Sequence, residues 1–147
     1  MQLPQSLESH RRAVEITRKT LGPEHTNTME YQVNLGRALL NAEKYDEAEQ
    51  LLQGTIDVLQ KKGDKVILPH AQANLLDVLV KRKQYAQVEP KLLAHYEHAR
   101  SYEVEAMRPA LVKDALKMLV ELYDAWGKPA EAAKYRALLP KPTTQAS

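Results

Sequence analysis

The chain has 147 residues, 27% charged and 44% hydrophobic, which is ordinary for a soluble globular protein with room for one continuous core. Its formal net charge of +2 is too small to predict binding to nucleic acid or to an anionic membrane. The absence of cysteine excludes disulfides, thiolate nucleophiles and cysteine-ligated zinc. No apolar run approaches the roughly 20 residues of a membrane span and no signal peptide is evident, so a cytoplasmic location is the default expectation.

The first predicted helix covers residues 5–21 and is amphipathic. Leu7, Val14 and Leu21 recur at a spacing of seven, which places them on one helical face. Ile16 widens this apolar stripe. We expect Leu7, Val14 and Ile16 to pack on the following helix.

Chemical signals mark where further helices stop and start. Gly22 can adopt a left-handed cap, and Pro23 cannot continue a helix. Asn27 can cap the second helix, and Glu30 three residues later can complete a capping box. Gly63 is available as the cap of the third helix. The predicted helices cover residues 5–21, 27–42, 45–62, 69–83, 85–102, 109–126 and 129–139.

The helical segments recur with a regular period. Leu3-Pro-Gln-Ser6, Tyr45-Asp-Glu-Ala48, Tyr85-Ala-Gln-Val88 and Pro129-Ala-Glu-Ala132 start 42, 40 and 44 residues apart, and each opens an apolar helical pattern. No alternating β-branched run competes, so the fold class is predicted to be all-α. A period of about 40 residues that holds two helices is typical of stacked helical-repeat arrays, which usually present binding surface.

Three of these features carry a family resemblance. The loop Leu21-Gly-Pro-Glu-His25, the pair Asn34-Leu35-Gly36 and Asn74-Leu75-Leu76, and the helix opening Tyr45-Asp-Glu-Ala48 are similar to those of kinesin-light-chain-like tetratricopeptide repeat proteins. The resemblance implies a tetratricopeptide-like α-solenoid of antiparallel helix pairs with a right-handed superhelix. The expected organisation is a single helical-repeat domain at 1–139, with a half repeat at 3–22, repeats at about 27–63, 68–102 and 109–139, and a flexible tail at 140–147.

The resemblance also implies that the first helix of each pair lines a concave groove. Asn34 and Asn74 lie 40 residues apart and are expected to stand one above the other in it. An asparagine amide both donates and accepts hydrogen bonds, so such a ladder can hold the backbone of an extended peptide. The structural alternative is that each amide caps or buttresses a neighbouring helix. Met118 occupies the third position, so the ladder has two rungs. Selectivity is assigned to Arg37, His70, Asp77 and Lys81, and the other inward positions are Glu30, Val33, Asn41, Ala73, Lys113, Asp114, Lys117 and Glu121.

Two interpretations of the charged groove residues remain open. Arg37 and Asp77 are also 40 residues apart and can pair across adjacent repeats, which would be structural. Alternatively, Arg37 and Lys81 hold acidic groups of a ligand. The basic carboxylate clamp of chaperone-tail-binding relatives is not expected, because Val33, Ala73 and Asp77 stand at positions where that clamp needs basic or amide side chains.

Enzymatic chemistry finds little support in the sequence. His95 and His98 could form a metal pair, but no Glu-x-x-His motif supplies further ligands, and solvated histidines are the preferred interpretation. No glycine-rich phosphate loop or nucleophile elbow is present. We therefore predict no catalysis, no metal and no cofactor. Trp126 is expected to cover the last helix pair, with a contact to a partner as the alternative. Tyr45, Tyr85 and Tyr123 are expected to pack between helices.

The predicted function is a non-catalytic protein–protein interaction module that binds a peptide segment of a partner, with no nucleic acid or membrane among its partners. The alternative is a structural or regulatory spacer, a fragment of a larger repeat array such as that of a bacterial signalling kinase. End-to-end self-association through the N-terminal half repeat is a further expectation, because the outer side of that helix has no partner of its own.

Overall fold

The computed structural model describes residues 2–141, with side chains from residue 7 onward. Within this range the chain forms seven α-helices and one 3₁₀ turn, without a β-strand, which confirms the all-α prediction. No helix in the same range is long and apolar enough to cross a membrane. The helices are α1 Gln2–Leu21, α2 Thr26–Asn41, α3 Tyr45–Lys62, α4 Leu68–Lys81, α5 Tyr85–Arg100, α6 Arg108–Ala125 and α7 Pro129–Arg136, and the 3₁₀ turn is Glu105–Met107.

Contacts divide the chain into two compact units, Met1–Arg82 and Lys83–Ser147. Unit 1 contains α1 to α4, and unit 2 contains α5 to α7. Within each unit every helix packs against the next, as in a tetratricopeptide-like α-solenoid, and in unit 1 α2 also contacts α4 directly. The single domain over 1–139 and its repeat boundaries stay a prediction.

The bounds of α3 agree with the prediction because both of its ends carry clear signals. Gly63 follows α3 with φ +67°, the left-handed conformation that glycine adopts without strain. Asp64 then closes the loop before α4, whose N-cap residue is Ile67. The Asp64 carboxylate oxygen Oδ1 accepts three backbone N–H hydrogen bonds, at 2.6 to 3.0 Å, from residues 66–68. Sequence reasoning missed this contact because three residues separate Asp64 from the first residue of the helix.

The start of α2 differs from the prediction. The N-cap is His25 rather than Asn27, because His25 Nδ1 accepts a hydrogen bond from the Asn27 backbone N–H at 3.0 Å. Thr28 closes the same loop, since its buried hydroxyl donates to the Gly22 carbonyl at 2.8 Å. An unprotonated imidazole nitrogen accepts as a hydroxyl or carboxylate oxygen does. The helix therefore starts at Thr26, and Asn27 lies within its first turn.

The short turns between helices share one backbone feature. Glu43 follows α2 with φ +61°, Lys83 follows α4 with φ +63°, and Gly127 follows α6 with φ +76°. This left-handed conformation closes a helix end, and the next helix starts two residues later. Glu43 and Lys83 adopt it despite their Cβ atoms, whereas Gly127 has no such penalty.

The last helix is shorter than predicted. α7 ends at Arg136 rather than at residue 139, and the backbone N–H groups of Leu138 and Leu139 make tighter turns by donating to carbonyls three residues earlier. Pro140 follows and has no N–H to continue the pattern. From residue 142 onward, the predicted flexible tail lies outside the described residues.

The first helix buries less of its apolar stripe than predicted. Val14 is 7% exposed and packs with Leu39 and Leu52, but Ile16 is 52% and Leu21 45% exposed. Each residue turns a helix by about 100°, so Ile16 lies about 200° around α1 from Val14. The prediction that Ile16 packs on the following helix is therefore wrong.

Gly36 lets α2 and α3 approach closely. A Cβ atom added at Gly36 would lie 2.5 Å from Leu52 Cδ2 and 2.7 Å from Leu52 Cγ. Leu52 is fully buried beside Leu39 and Ala48. Because protein cores are closely packed, a shift of the Leu52 side chain away from an added Cβ atom would disturb its neighbours.

We expect Gly36→Ala to lower the free energy of unfolding by about 1–3 kcal/mol, because overpacking outweighs a gain of about 1 kcal/mol in helix propensity. Gly54→Ala in α3 is the matched control. A Cβ atom there meets nothing within 4 Å, so this change should raise the free energy of unfolding by about 0.5–1 kcal/mol. Urea unfolding followed by circular dichroism measures both. Stabilisation by both substitutions would contradict the close approach.

Candidate functional site

The predicted groove residues of α2 and α4 lie on neighbouring helices of unit 1. The core side of α2 is formed by buried residues that include Met29, Leu35 and Leu39. Positions 34 and 37 point away from that core and are exposed. α4 packs directly on α2 and presents its own polar positions. We call these residues the α2–α4 face: Asn34, Arg37, His70, Asn74, Asp77 and Lys81.

Arg37 links the two helices of this face. Its Nη1 donates to Asp77 Oδ2 at 2.6 Å and to Asn74 Oδ1 at 3.4 Å. The Arg37 side chain is 49% exposed and the Asp77 side chain 17%. The predicted pair across adjacent repeats therefore forms. An exposed pair contributes at most about 1 kcal/mol, so its main effect is to orient side chains.

The remaining members of the α2–α4 face are open to solvent. Asn34, His70 and Lys81 are exposed, and within the described part of the chain their side chains make no hydrogen bond or ion pair. Asn74 is half-buried. Two polar side chains with unused hydrogen-bonding capacity thus flank the Arg37–Asp77 pair on α4. The alternative, in which the amide buttresses a neighbouring helix, applies to Asn74, because Asn74 accepts a hydrogen bond from Arg37 of α2. It does not apply to Asn34.

Two of the other predicted inward positions are less exposed to solvent than expected. Val33 is 6% exposed and packs with Met29 and Ile56 in an apolar cluster of unit 1. Ala73 is half-buried. Met118, the predicted third position, is 7% exposed and belongs to the buried side of α6. Val33 and Met118 therefore contribute packing, and the polar positions 113, 114, 117 and 121 of α6 are exposed.

Only one of the two histidines on α5, His98, is exposed to solvent. His98 is exposed and meets the Tyr102 ring edge-on at 5.3 Å. His95 is half-buried, and its burial, together with the neighbouring His98, lowers its pKa, while Asp114 acts in the opposite direction. The expectation of a solvated His95 is wrong. Within the described residues no group of three or more histidine or acidic side chains could hold a metal ion.

Trp126 belongs to an aromatic cluster of unit 2. Its ring stacks on Tyr123 at 6.3 Å and lies 5.9 Å from Tyr85, and Lys128 Nζ is 3.7 Å from its centroid. Tyr123 is 1% exposed and also stacks on Tyr135 at 5.7 Å. The packing role predicted for Tyr85, Tyr123 and Trp126 agrees with these contacts.

Tyr123 is also tied to α5 by a polar contact. Its hydroxyl donates to Glu89 Oε2 at 2.7 Å. Burial raises the pKa of Tyr123, and the hydrogen bond to Glu89 acts in the same direction. The Tyr123–Glu89 contact was not evident in the sequence, because nothing in the repeat pattern distinguishes Glu89 from other helical carboxylates.

A second surface feature lies along α1. An open depression of about 330 Å³ is lined by Val14, Leu35 and Leu51 and by charged side chains of α1, most of them basic. Two of these cations already have partners, since Arg11 pairs with Glu47 and Lys19 pairs with a glutamate on its own helix. The depression therefore presents less unpaired charge than its composition suggests.

Comparison with known proteins agrees with this architecture. Residues 1–61, which cover α1, α2 and all but the last residue of α3, match the Tetratricopeptide repeat family model. No curated protein matches the chain. Tetratricopeptide repeats generally mediate protein–protein interactions, and folds of this type are typically not enzymes. The family model matches less than half of the chain, and together with the packing of consecutive helices this match shows a tetratricopeptide-like all-α fold.

Proposed function

We propose that unit 1 is a protein-binding module that holds an extended peptide segment of a partner along the α2–α4 face. The observation that carries this proposal is the direct packing of α2 on α4, which brings Asn34 and Asn74 from adjacent repeats to neighbouring helices. Asn34 is exposed, and its side-chain amide makes no hydrogen bond to the described residues. Such a side chain is suited to bind a backbone amide of another chain.

The spacing of the helices fits an extended ligand. Packed helices lie about 8–10 Å apart, and an extended peptide advances about 3.3 Å per residue. Asn34 and Asn74 would therefore meet backbone groups about three residues apart. His70 and Lys81 flank Asn74 on α4 and would contact the side chains of the partner. Arg37 and Asp77 form an ion pair with each other. They would add selectivity by orienting the side chains beside them.

The proposed module is non-catalytic, uses no cofactor or metal, and binds protein rather than nucleic acid or membrane. We also propose that the protein belongs to the kinesin-light-chain-like subfamily and that it acts in the cytoplasm. The formal charge of +2 supports the choice of partner class, because nucleic-acid-binding domains are usually much more basic.

A structural or regulatory spacer is the second candidate. The Arg37–Asp77 pair favours it, because an ion pair between adjacent repeats would also serve an array whose groove is empty. The exposed Ile16 and Leu21 of α1 favour the linked idea of end-to-end self-association, or of a place within a larger array such as that of a bacterial signalling kinase.

The double variant Asn34→Ala/Asn74→Ala tests the binding proposal. We expect it to retain the fold and to lose at least about tenfold in affinity for peptides selected on the wild-type protein, because two backbone-directed amides are removed. Gln50→Ala/Gln60→Ala is the matched control, since both glutamines are exposed on α3. Binding is measured by fluorescence anisotropy. Unchanged affinity in the asparagine variant would reject the groove and favour the spacer.

A further inference from the structure

The contact between Arg37 and Asn74 determines which way the Asn74 amide points. A guanidinium group has five N–H donors and no acceptor. The Asn74 atom that faces Arg37 Nη1, at 3.4 Å, must therefore be the oxygen Oδ1. The NH₂ group of the same amide is turned away from Arg37. An exposed asparagine without such a neighbour, such as Asn34, can present either group.

Asp77 keeps Arg37 in this position. Its Oδ2 accepts from the same Arg37 nitrogen at 2.6 Å, and the carboxylate is only 17% exposed. Asp77 also lies three residues after Asn74, on the same face of α4, so their side chains are neighbours. Without Arg37, the Asp77 carboxylate would accept a hydrogen bond from the Asn74 NH₂ group instead. The amide would then turn its oxygen outward.

We propose that Arg37 is a positioning residue that makes Asn74 a hydrogen-bond donor toward the partner, so that Asn74 recognises a backbone carbonyl oxygen. This inference rests on the proposed peptide-binding function of the α2–α4 face. The two rungs of the ladder then differ: Asn74 selects for an acceptor, and Asn34 takes either a donor or an acceptor. Because its guanidinium is held by Asp77, Arg37 acts through Asn74 and does not bind an acidic side chain of the partner.

Aspartate substitutions separate a donor from an acceptor. Asn74→Asp keeps the size of the side chain and an oxygen for Arg37, but removes the NH₂ group. The probes are synthetic 12-residue peptides selected from a random display library on the wild-type protein. We expect Asn74→Asp to weaken their binding at least about tenfold, since two acceptors would face each other. Asn27→Asp, the same change at an exposed position outside the α2–α4 face, is the matched control and should weaken it less than about threefold.

The role of Arg37 requires its own variants. Arg37→Met should weaken peptide binding by about three- to tenfold without changing the melting temperature by more than about 2 °C, because Arg37 is half exposed and the Asn74 NH₂ group replaces it as the donor to Asp77. Arg37→Lys keeps a cationic donor and should restore most of the affinity. A purely structural role would lower the melting temperature and leave the affinity of the folded protein unchanged.

The possible outcomes distinguish this inference from the function on which it rests. The inference is supported if Asn74→Asp strongly lowers the peptide affinity, Arg37→Met also lowers it, and Arg37→Lys restores most of it. If Asn34→Ala/Asn74→Ala abolishes binding while Asn74→Asp or Arg37→Met binds as the wild type does, the inference is wrong and the proposed function stands. If no selected peptide depends on Asn34 or Asn74, the proposed function fails as well.

Discussion

Replacing Tyr123 by alanine is expected to lower the free energy of unfolding of unit 2 by about 3–5 kcal/mol, the range for large aromatic side chains removed from a core. Tyr123 is 1% exposed and stacks on both Trp126 and Tyr135. Its removal would weaken the packing of α7 on α6, because α7 is only eight residues long and has one fully buried residue, Ala132. Urea unfolding followed by the fluorescence of Trp126, the single tryptophan, measures the loss.

Tyr123→Phe is the control for the ring itself. It keeps the stacking and removes the hydrogen bond to Glu89, so we expect a smaller loss of about 1–3 kcal/mol. Burial raises the pKa of Tyr123, so the stabilisation by its hydroxyl is complete below the ordinary tyrosine pKa of about 10 and is lost as the pH rises above it. The phenylalanine variant should lack this part of the alkaline loss. Equal destabilisation by the two substitutions would contradict a contribution from the stack.

Leu52→Ala is expected to have the largest effect in unit 1, a loss of about 2–5 kcal/mol in the free energy of unfolding. Leu52 is fully buried between α2 and α3, in the cluster that contains Val14, Leu39 and Val78. Gln50→Ala, an exposed change on the same helix, should stay within about 0.5 kcal/mol of the wild type. Circular dichroism in urea measures both variants.

The contact between Leu52 and Gly36 makes a sharper version of this test. In a Leu52→Ala background the space beside Gly36 is vacant, so Gly36→Ala should no longer destabilise and should partly fill the cavity. The two substitutions are therefore expected to be non-additive by about 1–3 kcal/mol. Additive effects would show that the added methyl group at position 36 does not meet Leu52.

The helices could be predicted because helix formation follows from local apolar spacing, and α3 shows this best. Its ends, Tyr45 and Lys62, coincide with the predicted bounds because Gly63 provides an unambiguous stop. The predicted helix ends were less accurate where the residue that caps or terminates the helix is an uncommon one. His25 caps α2 through an imidazole nitrogen, and Lys83 adopts a left-handed turn that its side chain does not suggest.

The candidate site could be predicted in part. The one-period spacing of Arg37 and Asp77 correctly indicated a pair across repeats, because equivalent positions of stacked repeats become neighbours. The contact from Arg37 to Asn74 could not be predicted, since it depends on the rotamers of two side chains. Val33 was misassigned to the groove because helical spacing alone does not show how far the core of unit 1 extends around α2.

The left-handed turns at Glu43 and Lys83 have a consequence for engineering of this chain. Each places a side chain in a conformation where glycine or asparagine would be less strained. Substitution by glycine or asparagine at either position is therefore expected to stabilise the protein. Neither position belongs to the α2–α4 face. A designer could therefore strengthen the scaffold at these turns first, and then diversify the binding residues with a margin against the destabilisation that new side chains bring.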